Sequence, residues 1–208
     1  LTKSCLCLEC YINQRFIKGI LEDFHEETHS WTKFKLPNCY QLVFEKANTE
    51  TIIEVCKSLI ENIKDPNPRN RIGNTPLHRA ANKGHLDICK VIIAKLEDKN
   101  PKNDEGKTPL YQAAYNGHVN VCELIIGHLS DKNPKDGYGY TPLYEAARLG
   151  HLKVCELLIK NTMDKNPFTN HGESAIYSAA VGGYFEICKL IVSNVDDKNP
   201  RNIKRNTG

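Results

Sequence analysis

Little in this sequence points to a membrane or a nucleic acid. None of its apolar runs reaches the length of about 18 residues that a bilayer-spanning helix needs, so no membrane insertion is expected. The formal net charge is only +3 over 208 residues. Lysines and arginines are interleaved with acids, without a basic run carrying regular aromatics, and no nucleic-acid partner is expected. The chain is rich in Asn yet has no N-x-S/T sequon, and no apolar signal-peptide core stands near its start. It opens Leu1-Thr2-Lys3-Ser4, without Met, and is expected to be part of a longer chain. The expected location is cytoplasmic, with the nucleus as the alternative.

Catalytic constellations are equally scarce. Gly137-Tyr138-Gly139 resembles half of a phosphate-binding fingerprint, but no strand pattern precedes it and no third glycine follows. The acids Glu123 and Glu156 recur on a helix pattern, where a solvated surface is the ordinary reading. His85-x3-Cys89, His118-x3-Cys122 and His151-x3-Cys155 put a His and a Cys on one helical face, as a metal site or an activated thiolate requires. The stronger reading is a buried, inert Cys and a turn His. The chain is not expected to be an enzyme or to hold a cofactor.

What is present is repetition. The helix-capping positions Thr75, Thr108, Thr141 and Ser174 are 33 residues apart. So are Gly73, Gly106, Gly139 and Gly172, and so are Asn67, Asn100, Asn133, Asn166 and Asn199 of a D-x-N-P link. A fixed period of this size means stacked supersecondary units. The cysteines share the step: five of the nine, Cys56, Cys89, Cys122, Cys155 and Cys188, fall one per unit. Stacked helices lie roughly 8–10 Å apart, beyond the Cα separation of about 7 Å that a disulfide tolerates. Free thiols in a reducing compartment are therefore expected.

One unit reads as a physical sequence of events. Thr108 can cap free amides, and Pro109 suits the first helical position, where its missing N–H would be unpaired anyway. Leu110, Ala113 and Ala114 follow at helical spacing, and Asn116-Gly117 ends this short helix. A second helix carries Val119, Val121, Cys122, Leu124, Ile125 and Leu129, a broad apolar set suited to cover from two neighbours. Asp131-Lys132-Asn133-Pro134 cannot continue a helix. An extended finger follows, turning at Asp136-Gly137.

The pattern T-P-L-Y-x-A-A-x-x-G-H resembles the T-P-L-H-x-A-A-x-x-G-H core of the ankyrin repeat, and 33 is that family's period. The resemblance implies an all-α ankyrin-repeat solenoid of about five repeats with β-turn fingers, preceded by an N-terminal helical segment. The expected division is 1–36 as that segment, a possible cap, and 37–208 as the repeat domain. Within the latter, 37–69 is degenerate; 70–102, 103–135, 136–168 and 169–201 follow, and 202–208 starts a further unit. The resemblance also implies a non-catalytic scaffold or adaptor whose partner is another protein, bound on the concave surface. Carried over by position, the partner-binding residues are Arg71, Asn74, Arg79 and Lys83; then Glu105, Lys107, Gln112 and Tyr115; then Tyr138, Tyr140, Glu145 and Arg148; and finally His171 and Glu173. Tyr115, Tyr138, Tyr140 and Arg148 are expected at the centre, because Tyr and Arg dominate interface hot spots.

Departures from the family pattern carry their own expectations. The His after T-P-L is kept as His78 and becomes Tyr111, Tyr144 and Tyr177, so its bond to the capping Thr is lost there, and Tyr111 and Tyr144 read as framework. The glycine usual after the second helix is replaced by Leu96, Leu129, Thr162 and Val195, which predicts a helix that runs longer or ends differently. Asn100, Asn133 and Asn166 resemble, with Ile92, Ile125 and Leu158 eight residues before them, the targets of an asparaginyl hydroxylase.

The first 36 residues have a rival reading. Ile12, Phe16, Ile20 and Phe24 give a helix whose apolar face suits a cap. Cys7-x2-Cys10, fourteen residues, then His25-x3-His29 also resembles a two-Cys, two-His zinc site, and so a module for nucleic acid or protein with the repeats as spacer. The connecting segment suits a continuous helix better than the hairpin such a finger uses, and no metal is the preferred expectation.

Overall fold

The computed structural model describes residue 67 and residues 69–195. Residues 1–36, with Cys7, Cys10, His25 and His29, and nearly all of the degenerate unit at 37–69 lie outside the described residues.

Eight α-helices occur among the described residues, in four pairs. They are α1 (Pro76–Lys83) with α2 (Leu86–Lys95), α3 (Pro109–Tyr115) with α4 (Val119–Ile126), α5 (Pro142–Arg148) with α6 (Leu152–Asn161), and α7 (Ala175–Val181) with α8 (Phe185–Asn194). The odd-numbered helices pack on one another in one row, and the even-numbered helices form a second row behind them. The architecture is an all-α repeat solenoid. None of the described helices is long and apolar enough to cross a membrane.

The starts of α3 and α5 can be accounted for donor by donor. In α3 the first residue is Pro109, which has no N–H. The Leu110 amide donates to Asn100 Oδ1 at 2.9 Å, from the preceding link. The Tyr111 amide donates to Thr108 Oγ1 at 3.2 Å, and the Gln112 amide to the Thr108 carbonyl at 3.0 Å. No orphan donor remains at this N-terminus. The same set recurs for α5 through Asn133 and Thr141; α7 repeats the two side-chain bonds through Asn166 and Ser174, with Ala175 in place of the proline. Asp98, Asp131 and Asp164 fix each link by accepting the amide of the Asn two residues on. D-x-N-P thus does more than end a helix. It carries the cap of the next one.

The turn inside each pair needs glycine for two reasons. Gly117 has φ 75°, a left-handed conformation that side chains disfavour. A Cβ there would also sit 2.7 Å from Nδ1 of His151, whose Nε2 bonds the Tyr115 carbonyl at 3.0 Å. His118 makes the equivalent bond to the Asn82 carbonyl. His118 and His151 therefore tie the second and third pairs to the one before.

The second helices do end differently from the family pattern. Leu96, Thr162 and Val195 cap α2, α6 and α8 in extended conformation, with ψ of 143°, 151° and 142° and no left-handed residue. β-Branched side chains are at ease there.

Leu77, Leu110 and Leu143 are fully buried between the rows, and the alanine pairs Ala80–Ala81, Ala113–Ala114 and Ala146–Ala147 let the first helices approach closely. Cys89, Cys122 and Cys155 fill the same layer as free thiols, and Cys188 is free and half-buried. Burial pushes the thiols of Cys89, Cys122 and Cys155 up to about 12, which makes them packing residues rather than nucleophiles.

Candidate partner-binding surface

Each finger is a turn clamped by its own first residue. Asn103 Oδ1 accepts the amides of Glu105 and Lys107, and Asp136 Oδ1 accepts those of Tyr138 and Tyr140, each of the latter at 2.9 Å. Asn70 and Thr169 hold their fingers in the same way. Neighbouring fingers are also joined. The Asp104 amide donates to the Ile72 carbonyl, that of Gly137 to Glu105, and that of Asn170 to Tyr138, at 2.9 to 3.2 Å. The tips are therefore rigid platforms, and their side chains are presented without much local ordering still to be done on binding.

A second ladder runs beside them. Arg69 reaches the Lys102 carbonyl at 2.7 Å, Lys102 that of Lys135 at 3.0 Å, and Lys135 that of Phe168 at 3.0 Å. This ladder was not among the expectations from sequence, although the 33-residue spacing of these cations is a readable signal for it.

The expected partner-binding residues fall into three groups. Arg71, Lys83, Glu105, Tyr115, Tyr138, Arg148 and His171 are exposed on the fingers or the first helices, and Tyr138 is the most open of the described tyrosines at 56%. Asn74, Arg79, Lys107, Gln112, Tyr140 and Glu173 are half-buried. Several of these link neighbouring units: Asn74 accepts from Asn103 at 2.8 Å, and Gln112 accepts from Asn82 at 3.0 Å. Lys107 pairs with Glu105 at 2.7 Å and lies over the Tyr111 ring.

Glu145 stands apart. It is 5% exposed, accepts the Tyr111 hydroxyl at 2.9 Å, and is gripped by Arg148 through Nε at 2.9 Å and Nη2 at 2.6 Å. Its position is inside the stack, where it holds Arg148 over the ring of Tyr115. Glu173 accepts the Tyr144 hydroxyl at 2.8 Å. Burial, reinforced by the Glu145 charge, raises the Tyr111 phenol, and burial with the Glu173 bond pushes Tyr144 up to about 12. Both tyrosines stay neutral donors across the physiological range. They build the frame, and the carboxylates they grip are anchored by them.

Among the described residues no group of three or more His, Cys, Asp or Glu side chains is placed to hold a metal ion. The family model described as Ankyrin repeats (3 copies) matches residues 45–136 and 125–202, well over half of the chain. The chain belongs to the ankyrin-repeat family. No curated protein matches it. Ankyrin repeats are generally protein–protein interaction modules and are typically non-catalytic. In this ankyrin array, Asn100, Asn133 and Asn166 use their side-chain carbonyls as caps for the next helix. Tyr115, Tyr138 and Arg148 are among the side chains that the array leaves exposed.

Proposed function

We propose that this chain is a non-catalytic adaptor that binds a protein partner on the concave face made by the fingers and first helices, with Tyr115, Tyr138, Tyr140 and Arg148 at the centre. The supporting observation is a rigid frame that presents exposed aromatic rings beside an oriented arginine. Large, rigid, amphipathic side chains of this kind carry most of the energy in protein interfaces, because they bury much area at small entropic cost. Asn100, Asn133 and Asn166 remain candidate hydroxylation sites within this reading, tested by intact mass after exposure to an asparaginyl hydroxylase.

Site-specific photocrosslinking in cells tests the surface. A photoreactive residue at Tyr138 should capture a discrete partner, and the same residue at Glu156, exposed on the second-helix row, should capture little. Once the partner is purified, Tyr138→Ala combined with Tyr140→Ala should weaken its affinity by roughly tenfold or more, the scale of a lost aromatic hot spot. The helical circular dichroism should stay unchanged. Equal capture at both positions, or an unaltered affinity, would move the interface elsewhere.

A further inference from the structure

Three tyrosines step outward from the core at the third finger. Tyr144 is buried, Tyr140 is half-buried, and Tyr138 is exposed, with ring centroids 5.0 Å apart for Tyr140–Tyr144 and 6.4 Å for Tyr138–Tyr140. Carboxylates surround this step. Glu173, half-buried on the next finger, has the Tyr144 hydroxyl against it. Glu145 lies below on α5. Asp136 uses Oδ1 for two backbone amides, and its buried Oδ2 has no hydrogen-bond partner among the described residues. The Tyr140 phenol is raised by burial first, and then by the charges of Glu173, Glu145 and Asp136, with only Arg148 opposing them.

The cations nearby are already engaged. Arg148 is held by Glu145, and Lys107 is held by Glu105. The corner therefore combines open aromatic faces with negative charge that the protein's own cations do not take up at Glu173. A guanidinium supplies what is lacking. Its plane stacks on a tyrosine face while its forked donors meet a carboxylate, which a compact ammonium does less well. A carboxylate or phosphate would meet repulsion from Glu173 and Asp136. An apolar side chain would leave Glu173 partly desolvated and without a cation.

We propose that the Tyr138–Tyr140–Glu173 corner is the seat of an arginine side chain of the protein partner. The proposal rests on the partner-binding reading above and names the chemistry of the residue recognised. The fingers are joined through their backbones at this point, from the Asn170 amide to the Tyr138 carbonyl at 3.0 Å, so the seat is preformed.

A displayed library of short random peptides, selected on the whole chain, tests the seat without a known partner. Retained peptides should share an arginine at one fixed position. Replacing that arginine by citrulline, which keeps the shape and removes the charge, should weaken binding roughly tenfold. Glu173→Gln keeps an acceptor for the Tyr144 hydroxyl, so the fold stays intact, yet the arginine preference should disappear. Glu156→Gln on the far row should change nothing. Peptides that bind, compete with one another and weaken with Tyr115→Ala, but show no fixed arginine, would sink the seat and leave the binding face standing. An arginine preference that survives Glu173→Gln would also sink it. A selection that returns no peptide sensitive to either Tyr115→Ala or Tyr138→Ala would overturn both readings.

Discussion

His78 ties one helix start to the neighbouring unit through both of its ring nitrogens. Nδ1 accepts the Thr75 amide at 3.1 Å and lies 2.9 Å from the Thr75 hydroxyl, while Nε2 reaches the Lys107 carbonyl at 3.0 Å. An N–H pointing at Nδ1 requires that nitrogen to be bare, so Nε2 carries the proton. Burial depresses the imidazole to about 4. A base whose folded value lies below its unfolded one, near 6.5, stabilises the fold fully at higher pH. The unfolded chain takes up the proton first, so stability falls as the pH drops from about 6.5 to 4. The effect is on the order of 3 kcal/mol if His78 acted alone. Urea midpoints at pH 7.5 and pH 5 should fall in the native protein and fall much less in His78→Gln. An equal drop in both would assign the acid sensitivity to other groups. The three later units keep Tyr at this position and make a different choice: Tyr111 and Tyr144 give up the bond to the capping residue's amide and reach a carboxylate in the next unit.

At the scale of the element, the short first helices depend on caps because seven or eight residues of helix are marginal alone. Asn133 is the informative case. Its Oδ1 holds the Leu143 amide at 3.0 Å from ten residues upstream. Asn133→Ala should cost about 1 kcal/mol, the usual scale of a lost cap. Asn133→Asp keeps the acceptor and places negative charge at a helix N-terminus, so it should cost far less. Chemical denaturation of the two variants compares them directly, and equal losses would show that this bond does not matter to the stack. The Thr-Pro starts and the glycine turns were legible in the sequence because the Thr caps an amide three residues on and the left-handed turn is a local need of the backbone. The asparagine cap was not. Its partner is ten positions away across an extended link, and the letters D-x-N-P by themselves announce only that a helix stops.

For the whole molecule, the 33-residue period carried the architecture, since units that cannot bury their own faces must stack. The same logic explains what the sequence hid about the site. Tyr144 is 4% exposed where the next unit covers it, and the equivalent Tyr177 is 54% exposed. Likewise Glu145 has the spacing of a surface residue on α5, yet it is buried with the hydroxyl of Tyr111 from the preceding unit against it. Burial in a solenoid is a property of neighbours, and neighbours lie a full period away. Stability should follow the same rule. Val181 and Phe185 are also exposed on α7 and α8, so that pair gains less from its own apolar side chains than α3 to α6 do. Hydrogen exchange followed by mass spectrometry should show α7 and α8 opening at lower free energy than α3 to α6, with exchange about tenfold faster or more. Protection of the same size from α3 to α8 would mean that the stack opens only as one cooperative body, and that the exposed apolar side chains of its last described pair cost it nothing.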